Sequence, residues 1–421
     1  MKPLLINTYE KGGAGAACVR LHKTLLEKGV GSKLLLKHKP SKNIQEAYYD
    51  VAINIDSGLS SKFKSKANRL FKKLGFNAKS ESSVINPRDT NLEMFSYPSS
   101  RFNLKSSQLF EEADIINLHW VSDFIDYKSF FKDMDKPIVW TIHDMNPFSG
   151  GEHYLEDYIG MDENGYPIKR VITEKELQLF SKIIDLKKEA MNNLNNLHIV
   201  TLCDWMTEEV KKSDVFKKAN IHLIPNGIDS EIFKPKDFYK SRELLNLPLD
   251  KKVILFVSDA LAKTRKGYSF LQKAFQLLED EDVILCSIGD NANIVNENTQ
   301  IVELGYIDND ELMSMAYSAA DVFVIPSLMD NLPNTVIESI MCGTPVIGFP
   351  IGGILDMIED GVNGYITKEI SALSLNKAII KFLNHPNHFN TGNIRENAVK
   401  KYNKNIQATE YINLFEKIIK G

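Results

Sequence analysis

Two carboxylates frame the most chemically informative stretch of this 421-residue chain. Asp330 lies in the loop Ser327 to Pro333, and Glu338 follows after seven intervening residues, one or two turns into an expected helix. Backbone amides left free at a helix start form an anion site that suits a phosphate. An ionised acid on either side suits hydroxyl groups, because a carboxylate accepts two hydrogen bonds from a sugar diol. The loop positions Asn331 and Leu332, with Asn334 and Thr335 at the helix start, would supply the amides. Three other groups fit this chemistry. Gly13 and Gly15, in the turn Gly12-Gly13-Ala14-Gly15, would let backbone approach a phosphate closely. Arg265 and Lys266 could neutralise a diphosphate as it leaves with added charge. His119 and His143 could hydrogen-bond a sugar hydroxyl or stabilise developing charge. The combination reads as a site for a nucleotide-sugar.

These residues must be placed by a repeated strand-loop-helix pattern. Val322 to Ile325 is a β-branched run suited to a strand buried on both faces. The helix after it shows Val336, Ile337, Ile340 and Met341 on its apolar side, with Asn334 or Thr335 as its cap. Gly343 and Pro345 stop it, and Pro345 to Gly348 begins the next strand. The carboxylate loop therefore lies at the carboxyl end of a parallel strand, where open α/β sheets bind ligands. Leu4 to Asn7 plays the same part for the glycine turn, and Asp114 to Trp120 and Ile138 to Ile142 end in the two histidines. Val253 to Val257 leads to Lys266, and Asp204 and Asp310 are expected to cap helices. The turn Pro225-Asn226-Gly227 marks a domain crossing. The expected architecture is α/β, with two Rossmann-like doubly wound parallel sheets facing a central cleft. Residues 1–225 form the first domain and 226–400 the second; 401–421 is a helix returning toward the first.

Between about 55 and 85 the rhythm breaks. Lys62, Lys64, Lys66, Arg69, Lys72, Lys73 and Lys79 occur without an acid from Ser60 to Ser80, around Phe63, Ala67, Leu70, Phe71 and Leu74 at helical spacing. Such a helix can lie on an anionic membrane surface or pack its apolar stripe on the domain and leave its lysines in water. Over the whole chain 51 basic residues face 55 acidic ones, so no global field attracts nucleic acid. The four cysteines are scattered, with no metal-binding spacing, which fits reduced thiols in the cytoplasm. No apolar run approaches a membrane span. A dinucleotide-binding oxidoreductase is the competing class, but Gly13 to Cys18 lacks the third small residue of GxGxxG. The strand Lys33 to Lys37 also lacks the acid that would hold a ribose.

The acid, seven residues and Glu338, followed by Met-x-Cys-Gly-Thr-Pro-Val-Ile, resemble the signature of the retaining family 4 glycosyltransferases of GT-B fold. Asp330 stands where that family usually has Glu. The resemblance covers nearly the whole chain. It matches Gly12 to Gly15 to the loop facing donor and acceptor, His143 to the active-site histidine, and Lys266 to the phosphate lysine, with Pro225 to Asp229 at the domain junction. It places the loop of Ile307 against the nucleotide base. His-Asp-Met-x-Pro-Phe-x-Gly-Gly resembles a subgroup acting in bacterial polysaccharide assembly; that subgroup often has cysteines soon afterwards, and Gly151 to Asn195 has none. The resemblance implies a transferase that moves sugar from a nucleoside diphosphate to a glycan or lipid-linked acceptor with retention; the cysteines and the basic segment 60–80 add the expectation of a cytoplasmic protein, peripheral at the inner membrane face. His143, Asp330 and Lys266 would be its catalytic residues. No metal or cofactor is expected. The alternatives are a GT-B epimerase or phosphorylase, and an inactive homologue used as a binding subunit.

Overall fold

A computed structural model describes residues 1–41, 44–49, 53–54, 88, 92–155, 158–290, 300–385 and 387–421. The expected basic helix at 60–80 lies outside the described residues.

The first sheet has seven strands: β1 (Pro3–Asn7), β2 (Lys33–Leu36), β3 (Ala47–Tyr48), β4 (Ile115–Leu118), β5 (Ile138–Thr141), β6 (Leu197–Thr201) and β7 (Asn220–Leu223). All pairs are parallel, in the order β7-β6-β5-β4-β1-β2-β3. Side chains alternate between the two faces, so Leu4 and Ile6 enter one core cluster while Leu5 enters another. Burial on both faces is why the central strands β1, β4 and β5 read as largely apolar runs. The helices concerned with the site are α1 (Gly12–Glu27), α2 (Glu174–Met191) and α3 (Asp204–Lys212).

The second sheet repeats the plan with β8 (Lys252–Ala260), β9 (Val283–Asp290), β10 (Ile301–Glu303), β11 (Val322–Ile325), β12 (Val346–Gly348) and β13 (Gly364–Ile366). Its order, β10-β9-β8-β11-β12-β13, is again wholly parallel. In both sheets the order reverses beside the first strand, at β1/β4 and β8/β11. A crevice opens at such a switch point. The helices include α4 (Tyr268–Gln276), α5 (Asp310–Ala319), α6 (Asn334–Met341), α7 (Ala372–Asn384), α8 (Thr391–Tyr402) and α9 (Lys404–Lys420). After Asn403, which bridges to Ile228, α9 returns to the first sheet. There Tyr411, Leu414, Phe415 and Ile418 join Leu5, Cys18, Leu21 and Leu25 in one apolar cluster. Among the described residues no helix is long and apolar enough to cross a membrane.

Three caps differ from expectation. Asn309, not Asp310, caps α5 by accepting from the Leu312 amide, and Cys203 precedes α3, which begins at Asp204. Pro333, with φ −63° and ψ 119°, precedes α6, so Asn334 and Thr335 are already helical. A cap needs extended backbone, and that conformation falls one residue earlier in each case. Pro333 has no side-chain donor or acceptor, so no side chain caps α6.

Candidate functional site

The carboxyl ends of both sheets open onto one cleft of about 580 Å³. Its lining includes Gly12 to Ala16 after β1, His143 after β5, Arg265 and Lys266 after β8, Ile307 after β10, and Asp330 to Thr335 with Glu338 after β11. The structure thus brings these residues together, whereas His119, also singled out in the sequence, is buried behind His143 and does not line the cleft.

Asp330 is the centre of charge. Its Oδ2 lies 3.0 Å from Lys266 Nζ and 3.2 Å from an Arg265 terminal nitrogen, and accepts from Ser327 Oγ at 3.2 Å. Burial alone would raise its pKa, but Lys266 and Arg265 together hold the carboxyl below the ordinary aspartate value.

Arg265 is held more firmly. Its Nε donates to Glu93 Oε1 at 2.6 Å, one terminal nitrogen donates to the Met329 carbonyl at 2.8 Å, and the guanidinium lies 4.8 Å from the centre of the Tyr154 ring. Glu93 and Tyr154 belong to the first domain, so Arg265 joins the two halves as well as lining the cleft. Against its burial, Arg265 keeps the Glu93 carboxyl below its ordinary pKa. Glu93 and Tyr154 are site residues that did not stand out in the sequence. Tyr154 follows the His143 loop closely enough to have been suspected, whereas Glu93 carries no local signal.

Two asparagines of the carboxylate loop also cross between domains. Asn331 Nδ2 donates to the carbonyls of Ile142 and His143 at 3.0 and 3.1 Å, while its Oδ1 accepts from Cys203 Sγ at 3.1 Å. Asn334 Nδ2 donates to the Gly13 carbonyl at 3.0 Å. Side chains here lock the two loops together, which leaves the amides at the start of α6 as the groups suited to an anion. The glycine turn is tight for a backbone reason: a Cβ at Gly15 would stand 2.6 Å from the Tyr9 carbonyl oxygen.

Glu338 projects from the first turns of α6 and accepts from the Tyr317 hydroxyl at 3.0 Å. Burial raises its pKa, opposed by the nearby Arg20 guanidinium and by the Tyr317 bond. Arg20 Nε donates to the Gly227 carbonyl at 2.8 Å, and one of its terminal nitrogens is buried without a hydrogen-bond partner. On the first-domain wall, Trp120 Nε1 donates to Asp144 Oδ2 at 2.6 Å, and the same oxygen meets His153 Nδ1 at 2.6 Å. Lys11 spans the cleft mouth to Asp308 at 2.8 Å. Among the described residues no group of three histidine, cysteine or acidic side chains is placed to hold a metal ion.

The sequence and the fold have counterparts in known proteins. Residues 237–405 match the family described as glycosyl transferases group 1. A D-inositol 3-phosphate glycosyltransferase of Streptosporangium roseum is 22% identical over 306 residues, covering 67% of this chain and 65% of that protein. One of Mycolicibacterium smegmatis is 26% identical over 158 residues, covering 35% and 36%. These matches span less than two thirds of the relatives' own length. Among solved structures, sucrose-phosphate synthase from Thermosynechococcus elongatus superposes with a TM-score of 0.68 at 17% identity, covering 99% of this chain and 98% of that one. Anabaena HepE in complex with UDP and glucose gives 0.63 at 16% identity, covering 99% of each. Both are similar over the full two-domain architecture, which is the GT-B fold.

Proposed function

We propose, from the match of residues 237–405 to the group 1 glycosyl transferases and from the GT-B fold, that this protein moves a sugar from a nucleoside diphosphate to an acceptor hydroxyl, retaining the anomeric configuration and using no metal. The observation that carries the reading is the meeting of Lys266, Asp330 and the uncapped start of α6 at the switch point of the second sheet, opposite the glycine turn of the first. The diphosphate lies against the α6 amides and Lys266, with Arg265 lending charge from its anchored position. Asp330 and His143 hold hydroxyls of the donor sugar, Glu338 the ribose, and the loop of Ile307 the base. Neighbours that bind UDP with glucose support a nucleotide-sugar donor, and relatives named for transfer to inositol phosphate support a hydroxyl acceptor. The acceptor itself is a glycan or a lipid-linked sugar, and the setting is the cytoplasmic face of a bacterial membrane, in surface polysaccharide or glycolipid assembly.

Retention follows if the acceptor oxygen attacks C1 from the face that the diphosphate leaves. The C1–O bond to the β-phosphate breaks, the bond to the acceptor forms, and the acceptor proton passes to the departing phosphate oxygen. Lys266 and the helix amides stabilise the charge that gathers there. Closure of the two domains keeps water from the sugar cation.

A panel of UDP-, GDP- and ADP-sugars is screened by thermal shift, since a ligand bound only by the folded state raises the melting temperature. The donor selected is then assayed for hydrolysis and transfer. Turnover should survive a chelator, give product of unchanged anomeric configuration by NMR, and fall by about 10²- to 10³-fold in Lys266→Met. Full activity in Lys266→Met, or an inverted product, would overturn this mechanism.

A further inference from the structure

His143 is not alone in its pocket. Its Nε2 lies 2.9 Å from Nδ1 of His119, and the two rings stack with centroids 5.2 Å apart. His119 Nε2 in turn lies 3.0 Å from Asn117 Oδ1. The far end of this chain is fixed: Asn117 Nδ2 donates to the Val139 carbonyl at 3.0 Å and to Thr141 Oγ1 at 3.2 Å. Thr141 Oγ1 also bonds the Tyr411 hydroxyl at 2.7 Å, so the returning helix α9 closes the network.

Proton counting along the chain leaves one solution. A carbonyl such as that of Val139 only accepts, so the amide of Asn117 must face it with nitrogen and present oxygen to His119. That oxygen only accepts, so His119 carries its proton on Nε2. A neutral imidazole then has a lone pair on Nδ1, and His143 must supply the proton from its own Nε2. His143 Nδ1 is left as an acceptor, with no protein partner among the described residues, in a ring that lines the cleft.

We propose that His119 is a positioning residue that fixes His143 as its Nε2–H tautomer, so that His143 meets the substrate only as a hydrogen-bond acceptor. The class of group it takes is therefore a hydroxyl, and a phosphate oxygen is refused. That this hydroxyl belongs to a sugar rests on the glycosyl-transfer reading. Burial supplies the neutrality that the count uses: it pushes His119 well below the ordinary histidine range, helped by His143, and lowers His143 to about 4, so both rings are neutral at pH 7.

Long-range proton–nitrogen NMR of the full chain with nitrogen-15-labelled histidine reads each tautomer directly, without any substrate. His143→Gln identifies the His143 signals by their loss. The expected result is a protonated Nε2 and a bare Nδ1 on both rings, unchanged from pH 7 to pH 5.5. His119→Gln, whose amide oxygen can still accept, should keep that pattern and turn over the selected donor within about threefold of the parent. His119→Phe, which offers no acceptor, should mix the His143 tautomers and lose about tenfold or more in turnover, the usual size of effect when an outer partner of a functional histidine is removed. Should His119→Phe fold poorly, the spectrum of the parent protein still decides. A His143 proton on Nδ1, titration near pH 6.5, or a pattern indifferent to His119→Phe overturns the proposal. An inactive protein with the expected tautomers would count against glycosyl transfer alone.

Discussion

Replacing Glu338 with Gln should separate what this residue costs the fold from what it gives the site. Among the described residues its carboxylate accepts one hydrogen bond, from Tyr317 at 3.0 Å, and burial raises its pKa above the free value. Below about 4.3, the ordinary glutamate pKa, folded and unfolded chains are both protonated and the group has no pH-linked effect. As the pH climbs through the raised folded value, the unfolded chain ionises first, and a constant penalty on folding remains at neutrality. Glu338→Gln removes that penalty while its amide oxygen still accepts from Tyr317. The variant should therefore melt at or above the parent at pH 7, with the difference vanishing near pH 4. Donor binding should move the other way. A ribose diol gives two bonds to a carboxylate, each worth about 1.5–3 kcal/mol because the acceptor is charged. With one bond lost and the other made to a neutral oxygen, about 2–3 kcal/mol disappears, or ~30- to ~160-fold in affinity. Calorimetric scans at pH 4 and 7 and titration of the selected donor measure both halves. A variant that melts lower at pH 7 and binds donor as the parent does would refute the reasoning.

Two further outcomes are expected of the fold that carries the site. Gly267, at φ +71°, follows Lys266, and a Cβ there would stand 1.8 Å from the Pro326 carbonyl oxygen. Gly267→Ala should cost about 2–4 kcal/mol in urea unfolding and depress turnover by displacing Lys266; an unchanged midpoint would contradict the packing. Lys187 is fully buried under the His143 loop, donating to the carbonyls of Asn146 and, at 3.0 Å, Ser149, and burial lowers it to about 7. Between that value and about 10.4 the unfolded chain binds the extra proton, so stability should rise from pH 7 to pH 9.5. Lys187→Met should flatten this rise in the urea midpoint, and an equal slope in both proteins would show that Lys187 is not its source.

Much of this protein was legible in its residues. The β-branched runs of β1, β5, β8 and β11 and the glycines and prolines that punctuate them are local signals. Strand, turn and helix follow from them through short-range sterics and burial. Because a parallel strand delivers its next loop to one edge of the sheet, placing Gly12, His143, Lys266 and Asp330 after such strands already put them on the cleft side. The helix starts were read one residue off, since backbone dihedrals rather than side-chain type decided that Pro333 and Asn309 precede α6 and α5.

What no local pattern contained is which charge meets which. Glu93 and Arg265 are 172 residues apart, yet their pairing makes Arg265 a strut between domains as well as a cation lining the cleft. Asn331 reads as a loop amide but reaches Ile142 and His143, and the proton on His143 is dictated through His119 by Asn117 and, behind it, by the Val139 carbonyl. A hydrogen bond depends on distances of tenths of an ångström and on which atom already holds the proton. Those are fixed only when separate elements pack, so the sequence determined the ingredients and edges of the site, and tertiary structure decided the partners.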